Sequence, residues 1–217
     1  MNLVSSELSS GTHNLRVTTR DDEDLYAETS LQIFVNTPPY APTVNLQPDS
    51  PNTETPLSLT VATQPDAEDD PQSAIVTWYQ NGTRVAELDN AVEVPADFTQ
   101  KGETWSVEVA MNDGNAVGEK ATASVDIANT PPVINLLSID FEDTVYNNTS
   151  LTCTPTASDV DADPIEFHHQ WSILSNGILS ELSENEDTLV LIPTLAGPGD
   201  RVYCTATAQD GSGSTSL

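Results

Sequence analysis

Apolar residues alternate with polar ones along most of the chain. Leu15 and Val17 alternate at 14–18, and Leu31, Ile33 and Val35 close a second run at 25–35. With Asp21-Asp22-Glu23-Asp24 as the turn, these read as two strands of one hairpin. Further strands are expected at 43–47, at 56–63 with Leu57, Leu59 and Val61, and at 74–80 with Ile75, Val76 and Trp78. Shorter runs at 84–88 and 91–94 follow, then longer ones at 104–111 and 120–128. Asn81-Gly82 is a hairpin turn, and Asn112-Asp113-Gly114 joins the last pair. No run of useful length has helical periodicity. Seven short strands with turns at this spacing predict a β-sandwich.

The pattern then repeats. Asn36-Thr37-Pro38-Pro39 recurs as Asn129-Thr130-Pro131-Pro132, 93 residues on (129 − 36). Paired prolines fix φ and remove two backbone donors, so the tetrapeptide reads as a stiff joint. Leu151-Thr152-Cys153 matches Leu59-Thr60-Val61, Trp171 matches Trp78, and Asn176-Gly177 matches Asn81-Gly82. A repeat this long implies tandem domains. The expected organisation is 1–36, the last strands of a truncated domain; 37–129, a complete domain; and 130–217, a domain lacking its last strand. A lone hairpin is marginal in water, and only residues around Leu3 and Val4 could add to the first unit.

Composition narrows the function. Lys and Arg number 6 against 34 Asp and Glu, a formal charge of −28. Nucleic-acid phosphates need Lys and Arg, so a nucleic-acid partner is excluded. The charge suits a surface protein in salt water, or a binder of cations. No stretch approaches the roughly 20 apolar residues of a membrane span, so no direct membrane insertion is expected. No signal peptide precedes the repeats, which we read as truncation. The two cysteines suggest an oxidising compartment.

Cys153, Trp171 and Cys204 carry a resemblance. Two cysteines 51 residues apart (204 − 153), with a Trp between them on a third strand, resemble the pin of the immunoglobulin sandwich. That resemblance implies a disulfide between Cys153 and Cys204, packed on by Trp171. It also implies an all-β fold of tandem immunoglobulin-like β-sandwiches, Greek-key, about seven strands each. The middle domain carries Val61 and Val107 at the matched positions. The family's corner Tyr, two residues before the second Cys, is replaced by Val202. The whole chain also resembles the tandem immunoglobulin-like and cadherin-like repeats of large prokaryotic surface proteins. Their habit is an Asn-Thr-Pro-Pro-type joint, an acidic B–C loop, a strand-C Trp and an Asp-Gly turn before the last strand.

The acidic loops are the candidate site. Asp66, Glu68, Asp70 and Asp159, Asp161, Asp163 are spaced i, i+2, i+4, which in an extended loop points the carboxylates one way. Pro71 and Pro164 stand where an EF-hand has its sixth-position Gly, which rejects that motif. In a sandwich the B–C loop, here the acidic loop, and the F–G loop, here the one with Asp113 or Asp210, share an end with the start of the first strand, A, which follows the joint. Asn36 is therefore expected near Asp66, Glu68, Asp70 and Asp113, and Asn129 near Asp159, Asp161, Asp163 and Asp210. The cadherin resemblance implies calcium there, as a cofactor that stiffens the joint; the other reading is a solvated acidic loop. Adjacent strand residues His168 and His169 face opposite ways and do not share a metal. The chain has no Gly-x-Ser-x-Gly elbow, phosphate loop or His-Glu-x-x-His. We expect no enzyme, but a monomeric, extracellular structural or adhesive array at a cell surface, binding a protein or glycan. The alternative is a glycan- or protein-binding module of a secreted multidomain enzyme. Aromatics are 6% of the chain, and two of Trp78, Trp105 and Trp171 exposed on one face would favour that alternative.

Overall fold

The computed structural model describes residues 8–217; Leu3 and Val4 lie outside them. The fold is all-β. β1 (Gly11–Arg20) and β2 (Tyr26–Val35) form an antiparallel hairpin. The Asp21 carboxylate sets its turn, accepting the N–H groups of Glu23 and Leu25.

Seven strands follow the first joint. β3 (Thr43–Gln47), β4 (Leu57–Ala62) and β7 (Glu93–Val94) form one sheet. β5 (Ser73–Gln80), β6 (Thr83–Arg84), β8 (Thr104–Asn112) and β9 (Ala121–Asp126) form the other, in the order β6-β5-β8-β9. The chain changes sheet after β4, after β6 and after β7, which is the Greek-key path of an immunoglobulin-type sandwich. Leu57, Trp78, Val94, Trp105, Val107 and Val109 are fully buried, one residue in two along each strand. The expected strand at 84–88 is corrected: Arg84 ends β6, and 86–88 is a 3₁₀ turn. The apolar residues of that run, Val85 and Leu88, are spaced i, i+3, which fits three residues per turn and not a strand. Leu88 is the one it buries.

The plan recurs after the second joint. β10 (Val133–Asp140), β11 (Ser150–Ser158) and β14 (Thr188–Val190) form one sheet. β13 (Ile178–Glu181), β12 (Glu166–Ser175), β15 (Arg201–Gln209) and β16 (Ser214–Ser216) form the other, in that order. At the end of this unit Ser214–Ser216 pair with β15, and Leu217 exchanges backbone hydrogen bonds with Ala206.

Cys153 and Cys204 are joined by a disulfide. They pack with Trp171, Leu151, Leu189 and Leu191 in the core. The Trp171 indole donates to Glu186 O at 3.0 Å, as the Trp78 indole donates to Ala91 O at 3.0 Å. Register corrects one equivalence. Trp171 pairs with Cys204 as Trp78 pairs with Val107, so Val107 does replace a cysteine. However, Leu151 pairs with Leu189 as Leu57 pairs with Val94, and the N–H groups of Cys153 and Leu59 make matching bonds to Asp187 O and Val92 O. Leu59, not Val61, therefore fills the place of Cys153. The two candidates are i and i+2 on one strand face, so alternation alone does not separate them.

By internal contacts the chain divides into two compact units. The first holds the residues up to 51, with 56–95 and 103–126; the second holds 52–55, 96–102 and 127–217.

Candidate functional site

In the first unit the loop after β4 is a turn, not an extended comb. The Asp66 carboxylate causes this: its Oδ1 accepts the N–H of Glu68 at 2.9 Å and of Asp70 at 3.3 Å. Asp69 takes φ 62°, in the left-handed region that Asp tolerates. The turn frees Glu68 to hold the joint. Its two oxygens accept Thr37 N–H and Thr37 Oγ1–H, each at 3.1 Å. A hydrogen bond from Ser10, then those from Thr37, hold the Glu68 carboxyl below its ordinary range against the opposing effect of burial. Asn36 Nδ2 donates to Asp113 Oδ2 at 2.9 Å. The other Asp113 oxygen accepts the N–H groups of Ala116 and Asn115. The Ala116 N–H, followed by the Asn36 amide, lowers the Asp113 pKa. Asp70 turns elsewhere, accepting from Asn115 Nδ2.

The second unit repeats this clasp. Asp159 Oδ1 accepts the N–H groups of Asp161 and Asp163. Asp161 accepts Thr130 N–H at 2.8 Å and Thr53 Oγ1–H at 2.5 Å. Asn129 Nδ2 donates to Asp210 Oδ2 at 2.7 Å, while Asp210 Oδ1 takes the N–H groups of Ser212 and Gly213. The Asn129 bond is the main cause that brings the Asp210 pKa from 3.8 to about 2, against burial and aided by the two backbone N–H groups and the Lys101 charge.

Here three carboxylates converge. Asp159, Asp163 and Asp210 each bring an oxygen to within 4.8 Å of the others. Among the described residues of the first unit no three acidic groups converge so closely. Lys101 Nζ lies 2.5 Å from Asp163 Oδ2, and that carboxylate raises the lysine pKa. Four oxygens at the two clasps are buried and accept no hydrogen bond from the described residues: Asn36 Oδ1, Asp66 Oδ2, Asn129 Oδ1 and Asp159 Oδ2. They are the same two atoms in each repeat.

Sequence reasoning missed two glycines. An added Cβ on Gly118 would lie 2.1 Å from Pro39 O, and one on Gly213 2.8 Å from Pro131 Cγ. The second proline of the first joint and the first of the second thus press on the return of the F–G turn. The only signal is a Gly within five residues after each Asn-Asp-Gly or Asp-Gly turn, which is weak. Trp78, Trp105 and Trp171 are all fully buried.

No family model matches the chain, and no curated protein matches it. Solved structures do. A segment of two fibronectin type III domains from chicken tenascin is similar at 17% identity and TM-score 0.32, over 81% of this chain and 97% of that one. Three N-terminal domains of the highly immunogenic outer capsid protein of bacteriophage RB49 are similar at 16% identity and TM-score 0.39, over 96% of this chain and 85% of that one. The sandwich architecture rests on the strand order and register given above. No helix among the described residues is long and apolar enough to cross a membrane.

Proposed function

We propose that this chain is a non-catalytic stretch of tandem immunoglobulin-like modules from an extracellular surface protein, serving as a structural or adhesive arm. In this reading it is akin to the cadherin-like repeats of large prokaryotic surface proteins, and calcium binds at each clasp. The oxidised cysteine pair supports the compartment. All three indoles are buried, so none of them is presented to a glycan in the way that would favour the alternative, a glycan-binding module of a secreted enzyme.

The observation that carries calcium is the repeated pair of orphaned acceptors. Buried polar groups ordinarily find partners. Asp66 Oδ2 and Asn36 Oδ1, and their counterparts Asp159 Oδ2 and Asn129 Oδ1, lack donors among the described residues in both repeats. All four are oxygens, the ligand type a hard cation takes. In the second unit Asp163 and Asp210 supply two further carboxylates. Calcium there would hold Asn36 or Asn129 against the loops of its own unit.

Extracellular calcium modules bind at roughly 10⁻⁴ to 10⁻³ M. At a hundredfold excess over the dissociation constant, stability rises by about 2.7 kcal/mol. Millimolar calcium should raise the melting temperature, magnesium at equal ionic strength should not, and Asp66→Asn with Asp159→Asn should abolish the difference. Equal responses to the two ions would leave the loops as solvated acidic surface.

A further inference from the structure

The two Asn-Gly turns match in sequence but differ in what holds them. Asn81-Gly82 joins β5 to β6, and Asn176-Gly177 joins β12 to β13. Both have the backbone of a two-residue hairpin turn: φ 50° and 78° in the first, 52° and 79° in the second. Both asparagines and both glycines are exposed, and no atom lies within 4 Å of where a glycine Cβ would stand.

The difference is arm length. Asn81 comes three residues after its core tryptophan (81 − 78), Asn176 five after its own (176 − 171). The partner strands begin at the same register: Trp78 pairs with Val107 and Trp171 with Cys204, while β8 opens at Thr104 and β15 at Arg201. Asn81 therefore stands beside Thr104. Its Oδ1 accepts Thr104 N–H at 2.9 Å, and its own N–H donates to Thr104 O at 2.8 Å. Arg201 is already taken by Leu174, so Asn176 projects two residues beyond the end of β15. Among the described residues its carboxamide makes one long contact, Nδ2 to Ser175 Oγ at 3.5 Å.

We propose that Asn176 is a spontaneous deamidation site, and that Asn81 is protected by its bond to β8. A glycine after asparagine leaves the following backbone nitrogen open to the side-chain carbonyl. The Gly177 nitrogen gives up its proton to solvent hydroxide and attacks Asn176 Cγ. The Cγ–Nδ2 bond breaks, and Nδ2 leaves as ammonia with a proton from water. The resulting succinimide takes up one water at either ring carbonyl and opens to aspartate or isoaspartate. No electrons are exchanged. Closing the ring requires the side chain to rotate onto the glycine nitrogen. At Asn81 that rotation strains or breaks the Thr104 bond; at Asn176 nothing comparable opposes it. Isoaspartate adds a methylene to the main chain of a two-residue turn, so conversion loosens the pairing of β12 with the edge strand β13.

The test is peptide mapping of the intact chain during incubation in mildly alkaline buffer, with isoaspartate separated from aspartate. Asn176 should convert severalfold faster than Asn81 in the native protein. In concentrated urea the two rates should approach each other, because both asparagines precede glycine. Asn176→Gln should suppress conversion at that peptide and leave Asn81 unchanged. Equal native rates, or a faster Asn81, would overturn the proposal. A native difference that persists unchanged in urea would overturn it too, by placing the cause in local sequence.

Discussion

Asp210 and Asp113 each hold a joint asparagine through an ionised carboxylate, so acid should release both clasps. Both pKa values are depressed in the folded chain, that of Asp210 to about 2. A depressed carboxyl stabilises the fold above its unfolded value, near ~3.9 for Asp. That contribution is lost as pH falls through the folded value. Melting temperature should therefore drop steeply between about pH 4 and pH 2. Asn129→Ala should flatten the part of the drop due to Asp210, since it removes the first cause of that shift. An unchanged slope would mean that other carboxylates govern acid unfolding. The partnership of Asn36 with Asp113, and of Asn129 with Asp210, was legible because B–C loops, F–G loops and strand A share one sandwich end. The roles of Glu68 and Asp161 were not: both spend their oxygens on joint threonines instead of pointing with their neighbours.

At the scale of elements, each joint is fixed by packing as well as by the clasp. Gly118→Ala would drive its new methyl into Pro39 O, 2.1 Å away. Either Pro39 or the return after β8 must move, and overpacking of this kind costs about 1–3 kcal/mol. Gly197→Ala is the control. Its Cβ would meet only Asp200 Oδ2, at an ordinary 3.7 Å, so a change within about 0.5 kcal/mol is expected. Urea unfolding of the two variants beside the parent decides it, and equal midpoints would mean that the proline contact yields freely. Strand positions were well read where alternation was unbroken, as in β3 and β5. They failed at 84–88, where two apolar residues three apart close a 3₁₀ turn.

Over the whole molecule, negative charge prevails. Six basic residues face 34 acidic ones, and five of the six are already paired, in Arg16–Glu28, Arg20–Asp24, Arg84–Asp89, Lys101–Asp163 and Lys120–Glu108. Exposed pairs contribute only about 0–1 kcal/mol each, whereas the remaining carboxylates repel one another over the surface. Salt should therefore stabilise this chain. Between about 0.01 and 0.1 M the Debye length falls from ~30 to ~10 Å, and melting temperature should climb over that range with sodium chloride alone. A fall would mean that the ion pairs outweigh the repulsion. Calcium bound at the clasps would add a rise beyond the one produced by sodium at equal ionic strength.

Alternation and the recurring joint carried the all-β class and the tandem repeat, and the immunoglobulin resemblance carried the cystine and the tryptophan packed on it. Period-two alternation states which face of a strand is buried, and the turns state where each strand stops. Alternation does not state register between strands. Leu59 instead of Val61 takes the place of Cys153, as Val107 takes that of Cys204, and Asn81 but not Asn176 reaches the neighbouring strand, because of pairings with residues tens of positions away. Carboxylate direction is decided in the same manner. Asp66 and Asp159 fold their loops around their own backbone donors, and Thr37, Asn129, Thr53 and Lys101 reach the remaining oxygens from far along the chain. Only folding brings those donors together, which is why spacing alone did not tell that Asp159, Asp163 and Asp210 converge while Asp66, Asp70 and Asp113 do not.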